Sequence, residues 1–203
     1  RMLTRLFTES KLVIATHNQG KLSEISALLV DQNIEVLSAG GLGLDEPAET
    51  EDSFIGNARL KARAASYATG LVALADDSGL VVDALGGAPG VYSARWAGPD
   101  KDFSFAMRTV EAKLSESTSS DRRAHFICSL SLFWPDGFDV TVEGRVYGQL
   151  IWPPRGNQGF GYDPIFLPDG YHLTFGEMNP DQKNTIDHRA DAFKQILHAC
   201  FRK

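Results

Sequence analysis

KLVIA, Lys11 to Ala15, is a short apolar run with β-branched residues, and it breaks abruptly into the polar turn THNQGK. Beyond the turn, Leu22, Ile25, Leu28 and Leu29 recur on one helical face. A buried strand, a short polar turn and an amphipathic helix make the opening of an α/β unit. Asn33 to Leu37 is a candidate for the next strand, and Gly40, Gly41 and Gly43 then mark a flexible stretch. Ser53 is placed to cap a helix running to about Thr69, with Gly70 as its stop. LVALA, Leu71 to Ala75, reads as another buried strand that ends directly in Asp76 and Asp77.

The second half of the chain changes period. Gly86, Gly87, Pro89 and Gly90 exclude regular structure, and Phe103 to Leu114 reads as a helix through Phe103, Met107, Val110 and Leu114. From Arg122 to Trp134 the apolar residues alternate, with Ala124, Phe126, Cys128, Leu130, Leu132 and Trp134 on one face. Pro135-Asp136-Gly137 turns the chain, and Phe138 to Tyr147 returns as the second arm of a long hairpin. WPPRGNQGFGYDP is an irregular loop, and a closing helix from about His188 carries Ala192, Phe193, Ile196, Leu197 and Cys200 inward. With no internal repeat and no linker, the expectation is one domain over residues 1–203, with residues 1–10 an N-terminal tail outside the pattern. The expected fold is α/β: an elongated mixed sheet with flanking helices, forming two lobes around a central substrate cleft.

Charge narrows the range of partners. Twenty Lys and Arg against 26 Asp and Glu give a net charge of −6. That sign argues against a nucleic acid polymer, which needs a basic footprint. It leaves room for a small polyanion met by a few cations, backbone amides or a metal in one pocket. No apolar run approaches a membrane span, and RMLTRLFTESK is too short and polar for a signal sequence, so the expectation is a cytoplasmic protein with no membrane partner. Cys128 and Cys200 are far apart without metal-type spacing and read as buried thiols.

Four clusters are polar where a plain fold has no need of polarity. Thr16, His17, Asn18 and Lys21 lie between a strand and a helix, where backbone N–H groups attract phosphate and a lysine one turn in adds charge. The turn lacks the glycines of a P-loop, and ordinary capping is the alternative. Glu49 is followed by Asn57 and Lys61, four apart on a helix face with Ala58, Ala62 and Ala65. That face either leaves room for a bulky ligand or is simply solvated. Asp76-Asp77-Ser78-Gly79 sets two carboxylates at a strand end, where they repel unless a cation or donors offset them. In an extended chain they point to opposite sides, so one can hold a metal while the other braces the loop; an Asx-type turn is the alternative. Gly159-Phe160-Gly161-Tyr162-Asp163 flanks an aromatic with glycines, as a base-stacking platform requires, with Lys183, His188 and Arg189 downstream; a tight turn with a core Phe is the alternative.

In this order the clusters closely resemble the Ham1/RdgB-type inosine triphosphate pyrophosphatase family. The matching stretches are ATHNQGK, SFIGNARLKA, LADDSGLVVDALGGAPGVYSARWAG, GFGYDPIF and QKNTIDHRADAF, which extend from Lys11 to Phe193. The resemblance implies a homodimeric α/β enzyme that cleanses the nucleotide pool, converting dITP, ITP and XTP to the monophosphate and pyrophosphate with Mg²⁺, or with Mn²⁺ as a substitute. It implies that Thr16, His17, Asn18, Gln19, Gly20 and Lys21 bind the triphosphate with Lys61. Asp77 is then the general base and a metal ligand, Glu49 a second metal ligand, and Ser78 a substrate contact. Phe160 stacks on the base, while Gly161, Tyr162, Asp163, Lys183, His188 and Arg189 complete the base and phosphate pocket. One position departs from the pattern: Asp187 stands where the family usually has Ser before its His-Arg pair. Gln158 is a milder difference.

On this reading Asp77 orients and deprotonates a water for attack at the α phosphorus, and Lys21, Lys61 and Lys183 hold the outer phosphates. Arg189 donates to O6 of the base, a contact that adenine leaves unpaired. The alternatives are a pyrophosphatase for other modified or pyrimidine triphosphates, and a nucleotide-binding sensor without turnover.

Overall fold

The computed structural model describes residues 3–201. Six strands, β1 (Lys11–Ile14), β2 (Glu35–Ser38), β3 (Ala73–Val82), β4 (Arg123–Phe133), β5 (Asp139–Leu150) and β6 (Phe166–Pro168), form one sheet in the order β2-β1-β3-β4-β5-β6. The helices are α1 (Gln19–Leu29), α2 (Phe54–Thr69), α3 (Phe103–Glu116), α4 (Pro180–Ile186) and α5 (His188–Cys200). β1 runs parallel to β2 and to β3, whereas β5 and β6 are antiparallel, so the sheet is mixed. The chain divides into two compact units. The first holds residues up to Asp77, Cys128–Gly144 and the segment from Arg189 onward; the second holds Ser78–Ile127 and Arg145–His188.

In the first unit, β1 is buried on both sides, as a parallel strand between helices must be. Leu12 and Ile14 join a core with Ile25 and Leu29 of α1, Leu74 of β3, and Phe193 and Ile196 of α5. Val13 faces the other way, into an alanine-rich cluster of Ala62 and Ala65 of α2 with Ala73 and Ala75 of β3, closed by Phe133. The small side chains on α2 are therefore filled by strand packing and leave no open shelf. Ser53 caps α2 by accepting from the Gly56 N–H at 3.0 Å, and Gly70, left-handed at φ 69°, ends it. Phe7 stacks on Phe201, with ring centroids 5.2 Å apart, and donates its N–H to the Cys200 carbonyl at 2.7 Å; this ties the N-terminal segment to α5.

The second unit has its own core. Leu80 and Val82 of β3, Met107 and Val110 of α3, and Phe126, Phe166 and Phe175 pack together. The loop before β6 is held by Tyr162, whose hydroxyl donates to the Ser93 carbonyl at 2.7 Å.

Three elements differ from the sequence-based expectation. β3 does not end at Ala75 but continues extended through Asp76-Asp77-Ser78-Gly79 to Val82, because each carboxylate meets partners within the first unit. β4 is buried on both faces over most of its length, not on one. Ser129 donates to Glu143 Oε2 at 2.9 Å and Ser131 pairs with Thr141 Oγ1 at 2.9 Å, so these hydroxyls enter the interior with partners in place. Finally, α4 and the short β6 had no periodic signal. α4 is a polar seven-residue helix started by Asn179, which accepts from the Asp181 N–H at 2.8 Å, and by Pro180 in the first turn.

Candidate active site

The THNQGK turn is organised by its own side chains. Thr16 Oγ1 accepts from the Asn18 N–H at 3.1 Å, and Asn18 Oδ1 caps α1 by accepting from the Lys21 N–H at 3.0 Å. Gln19 and Gly20 are the first residues of α1, in the turn where a helix presents N–H groups toward an anion. His17 Nε2 is shielded from solvent and has no hydrogen-bond partner among the described residues. The side chains of Thr16 and Asn18 shape the turn and cap the helix.

Lys21 leads from the turn to the acidic strand. Its Nζ lies 3.3 Å from Asp76 Oδ2, and the same oxygen accepts from Arg189 Nη2 at 3.0 Å. Burial alone would raise the Asp76 carboxyl. Lys21, Arg189 and Lys61 outweigh it and hold the group well below the usual carboxylate range. Arg189 Nη1 donates to Glu24 Oε2.

Asp77, on the opposite side of β3, has different company. Asn57 Nδ2 donates to its Oδ2 at 3.3 Å, and Lys61 Nζ lies 3.8 Å from its Oδ1 and 3.6 Å from Glu49 Oε1. The Asn57 amide also accepts from the Glu51 N–H at 3.0 Å and donates to the Glu51 carbonyl, which tethers the segment carrying Glu49. Burial pushes the Asp77 carboxyl up. Lys61 pulls it down, but the charge of Glu49 and a hydrogen bond shared with it add to burial, and the group reaches about 7. Lys61 is also raised: burial opposes its charge, and Asp76, Asp77 and Glu49 more than restore it.

The second unit holds the remaining predicted residues, of which Ser78 follows Asp77 on β3. Asp163 Oδ2 accepts from the Phe160 N–H at 3.0 Å and from Lys183 Nζ at 2.8 Å, and this ammonium sits 4.8 Å from the centroid of the Phe160 ring. Gly159 has φ +69°, and a Cβ there would fall 2.2 Å from Asp163 Oδ2, so the loop requires glycine. Gly161 is also left-handed, at φ +64°. Tyr162 is buried with its hydroxyl on Ser93, and burial pushes its phenol up. His188 stacks on Phe126, with ring centroids 4.9 Å apart. Asp187 is buried between α4 and α5, with extended backbone (φ −79°, ψ 175°), and donates its N–H to the Lys183 carbonyl.

Two residues at this site were not among those singled out as site residues. Asn57 shared a helix face with Lys61 but not a role, and Glu24 went unremarked. Glu24 lies off the stripe of Leu22, Ile25, Leu28 and Leu29 on α1, and no sequence signal marks it. Lys183, expected on the outer phosphates, lies against Asp163 and beneath the Phe160 ring.

Among the described residues no group of three or more His, Cys, Asp and Glu stands ready to hold a metal ion, and no helix is long and apolar enough to cross a membrane. Cys128 and Cys200 are buried and not disulfide-bonded.

The profile of the Ham1 family matches residues 12–199. A dITP/XTP pyrophosphatase of Caulobacter vibrioides is 59% identical over 192 residues, covering 95% of this chain and 98% of that protein. One of Rhodospirillum centenum is 57% identical over 200 residues, covering 97% of this chain and 98% of that protein. The solved structure of a HAM1 protein from Coxiella burnetii has a TM-score of 0.86 at 38% identity, covering 93% of this chain and 96% of that one. A family profile matched over nearly the whole chain, with relatives this similar along almost their full length, makes the chain a member of the Ham1 family.

Proposed function

We propose that this chain hydrolyses non-standard purine nucleoside triphosphates, dITP, ITP and XTP, to the monophosphate and pyrophosphate; its relatives are named dITP/XTP pyrophosphatases. The observation that carries the chemistry is the Glu49–Asp77 pair beside Lys61. Their oxygens lie 3.6 and 3.8 Å from the one Lys61 ammonium, an acidic pair able to hold a cation and to accept a proton from water.

The residues fit a divalent cation. Two carboxylates share a hydrogen bond at a buried site, and their oxygens match the hard-ligand preference of Mg²⁺, which binds through one or two carboxylates and completes its shell with water and phosphate. Glu49 and Asp77 would hold Mg²⁺, with Mn²⁺ as a substitute, and the ion when bound supplies neutralisation of phosphate charge. Asp77 orients the attacking water and takes its proton. The first turn of α1 and the ammonium groups of Lys21 and Lys61 receive the phosphates, with His17 Nε2 available as a further donor. In the second unit, Phe160, held over Lys183 by the loop that Asp163 closes, provides the stacking face for the base. Ser78 and His188 are substrate contacts, whereas Tyr162 and Asp163 shape the loop.

The chain acts in the cytoplasm as a homodimer, without nucleic acid or membrane partners. Chromatography of the products tests the reading: dITP should give dIMP and pyrophosphate in equal amounts, with no dIDP. Formation of dIDP and orthophosphate would reject attack at the α phosphorus. Activity should vanish with chelator and return with Mg²⁺, and sedimentation should give twice the chain mass.

A further inference from the structure

The loop that carries Phe160 has polar anchors on both sides of Gly161. Before it, the Phe160 N–H donates to Asp163 Oδ2 at 3.0 Å; after it, the Tyr162 hydroxyl donates to the Ser93 carbonyl at 2.7 Å. Gly161 itself is left-handed at φ +64° and has no side chain to fix the backbone around it. What meets it is a ring from α3. A Cβ on Gly161 would lie 3.8 Å from Phe103 Cε1 and 3.9 Å from Cδ1, ordinary van der Waals contact, so the Phe103 ring backs the glycine where a side chain would project. The same ring meets Tyr162 edge to face, with centroids 5.5 Å apart and planes at 81°, an arrangement that aromatic pairs prefer.

Phe103 is placed by the start of its helix. It is the first residue of α3 and follows Asp102, which accepts from the Phe105 N–H at 3.0 Å and donates its own N–H to the Ala97 carbonyl at 2.9 Å. Met107, Val110 and Leu114, further along the same face, are buried in the second core, whereas Phe103 is only partly buried against it. A ring at the rim of a core, laid on a glycine, does more than fill volume. We infer that Phe103 is a positioning residue for the base: by backing Gly161 and Tyr162 it sets the tilt of the Phe160 ring. The inference rests on the reading of Phe160 as the stacking face. Lys183 lies beneath that ring, and its tilt follows the backbone on either side, with Gly159 closed off by Asp163 and Gly161 by Phe103.

The consequence falls on the base and not on the phosphates. Phe103→Leu removes the flat ring and keeps an apolar side chain. KM for dITP should rise about three- to tenfold, while kcat stays within about twofold and pyrophosphate inhibits as it does the parent. ITP and XTP should lose as much as dITP, because a stacking face serves every base. Phe103→Tyr keeps the ring and should recover most of the loss. Core filling alone would lower the melting temperature and the active fraction without a rise in KM. The double variant is sharper: once Phe160→Ala has removed the ring that Phe103 orients, adding Phe103→Leu should raise KM by less than about twofold more.

If Phe160→Ala binds dITP as the parent does, the stacking reading falls and the inference with it. If Phe160→Ala is weakened but Phe103→Leu keeps the parent KM, the inference alone is overturned. Losses that multiply in the double variant also overturn it, as does pyrophosphate inhibition weakened along with KM, since Phe103 would then act on the whole fold and not on the ring. Should Phe103→Leu fold poorly, Phe103→Met carries the same measurements.

Discussion

Each unit of this protein buries a carboxylate against an ammonium, and the two arrangements differ in kind. In the second unit, Asp163 and Lys183 form a closed pair at 2.8 Å, 5% and 3% exposed, and the same carboxylate oxygen also takes the Phe160 N–H. In the first unit, Glu24, Glu49, Asp76 and Asp77 share Lys21, Lys61 and Arg189, so carboxylates outnumber cations by one. Two neighbours on one strand then end at opposite extremes, with Asp76 held far below the ordinary range and Asp77 raised to about 7. A closed pair fixes a shape. An acidic excess that the protein leaves uncompensated responds to whatever cation or proton arrives, and this is what a reacting site requires.

The sharpest break of the comparison is Lys183→Met. It leaves the Asp163 charge buried with its ammonium gone, and should destabilise the protein by about 3–5 kcal/mol in denaturant unfolding. Adding Asp163→Asn, which keeps an acceptor for the Phe160 N–H, should recover most of that loss. If Lys183→Met is nearly neutral, the pair is not the closed structural unit described.

Asp77→Asn should act in the opposite sense. Turnover of dITP falls by at least about a hundredfold, in the range of a lost general base, while stability rises. A carboxyl whose folded value lies above its unfolded value favours the fold while protonated, below the ordinary carboxylate range. That contribution is lost as pH rises through about 7. Asn has no proton to lose. In chelator, the gain in melting temperature of Asp77→Asn over the parent should therefore grow from pH 4 to pH 8. A gain that does not change with pH would show that Asp77 is not raised.

Smaller effects refine the contrast. Phe160→Ala should weaken all purine substrates together by about 1–3 kcal/mol in kcat/KM, if the half-buried ring is a stacking face. Loss confined to one substrate would make it a specificity contact instead. At the bottom of the scale is Arg123, whose two-pronged pair with Asp169 at 2.7 and 2.6 Å is roughly half exposed. Arg123→Ala should cost less than about 1 kcal/mol of stability and leave turnover unchanged, since solvent screens the pair. A loss as large as that of Lys183→Met would erase the distinction between buried and exposed pairs.

Much of this architecture was legible in the residues. The apolar run ending at Ala15, the capped turn at Asn18, Ser53 and Gly70 at the ends of α2, and the alternation from Arg122 to Trp134 each carry a local physical signal, of burial period or of cap chemistry. α4 and β6 were missed because a short polar helix and a three-residue strand carry no period. The length of β3 was missed because adjacent carboxylates read as a break when their partners are out of view.

Sequence by itself determined the family, the mixed α/β class and the identity of the polar clusters, since motifs and caps are short-range properties of the chain. Only the tertiary structure decided what each charge does. Whether Asp76 or Asp77 stays acidic depends on Arg189, 113 positions away along the chain, and on how closely the alanine-lined α2 brings Lys61 and Asn57 to the strand. The Coulomb and desolvation terms that set those values vary over a few ångströms in a medium of low dielectric, and no spacing along a sequence encodes them.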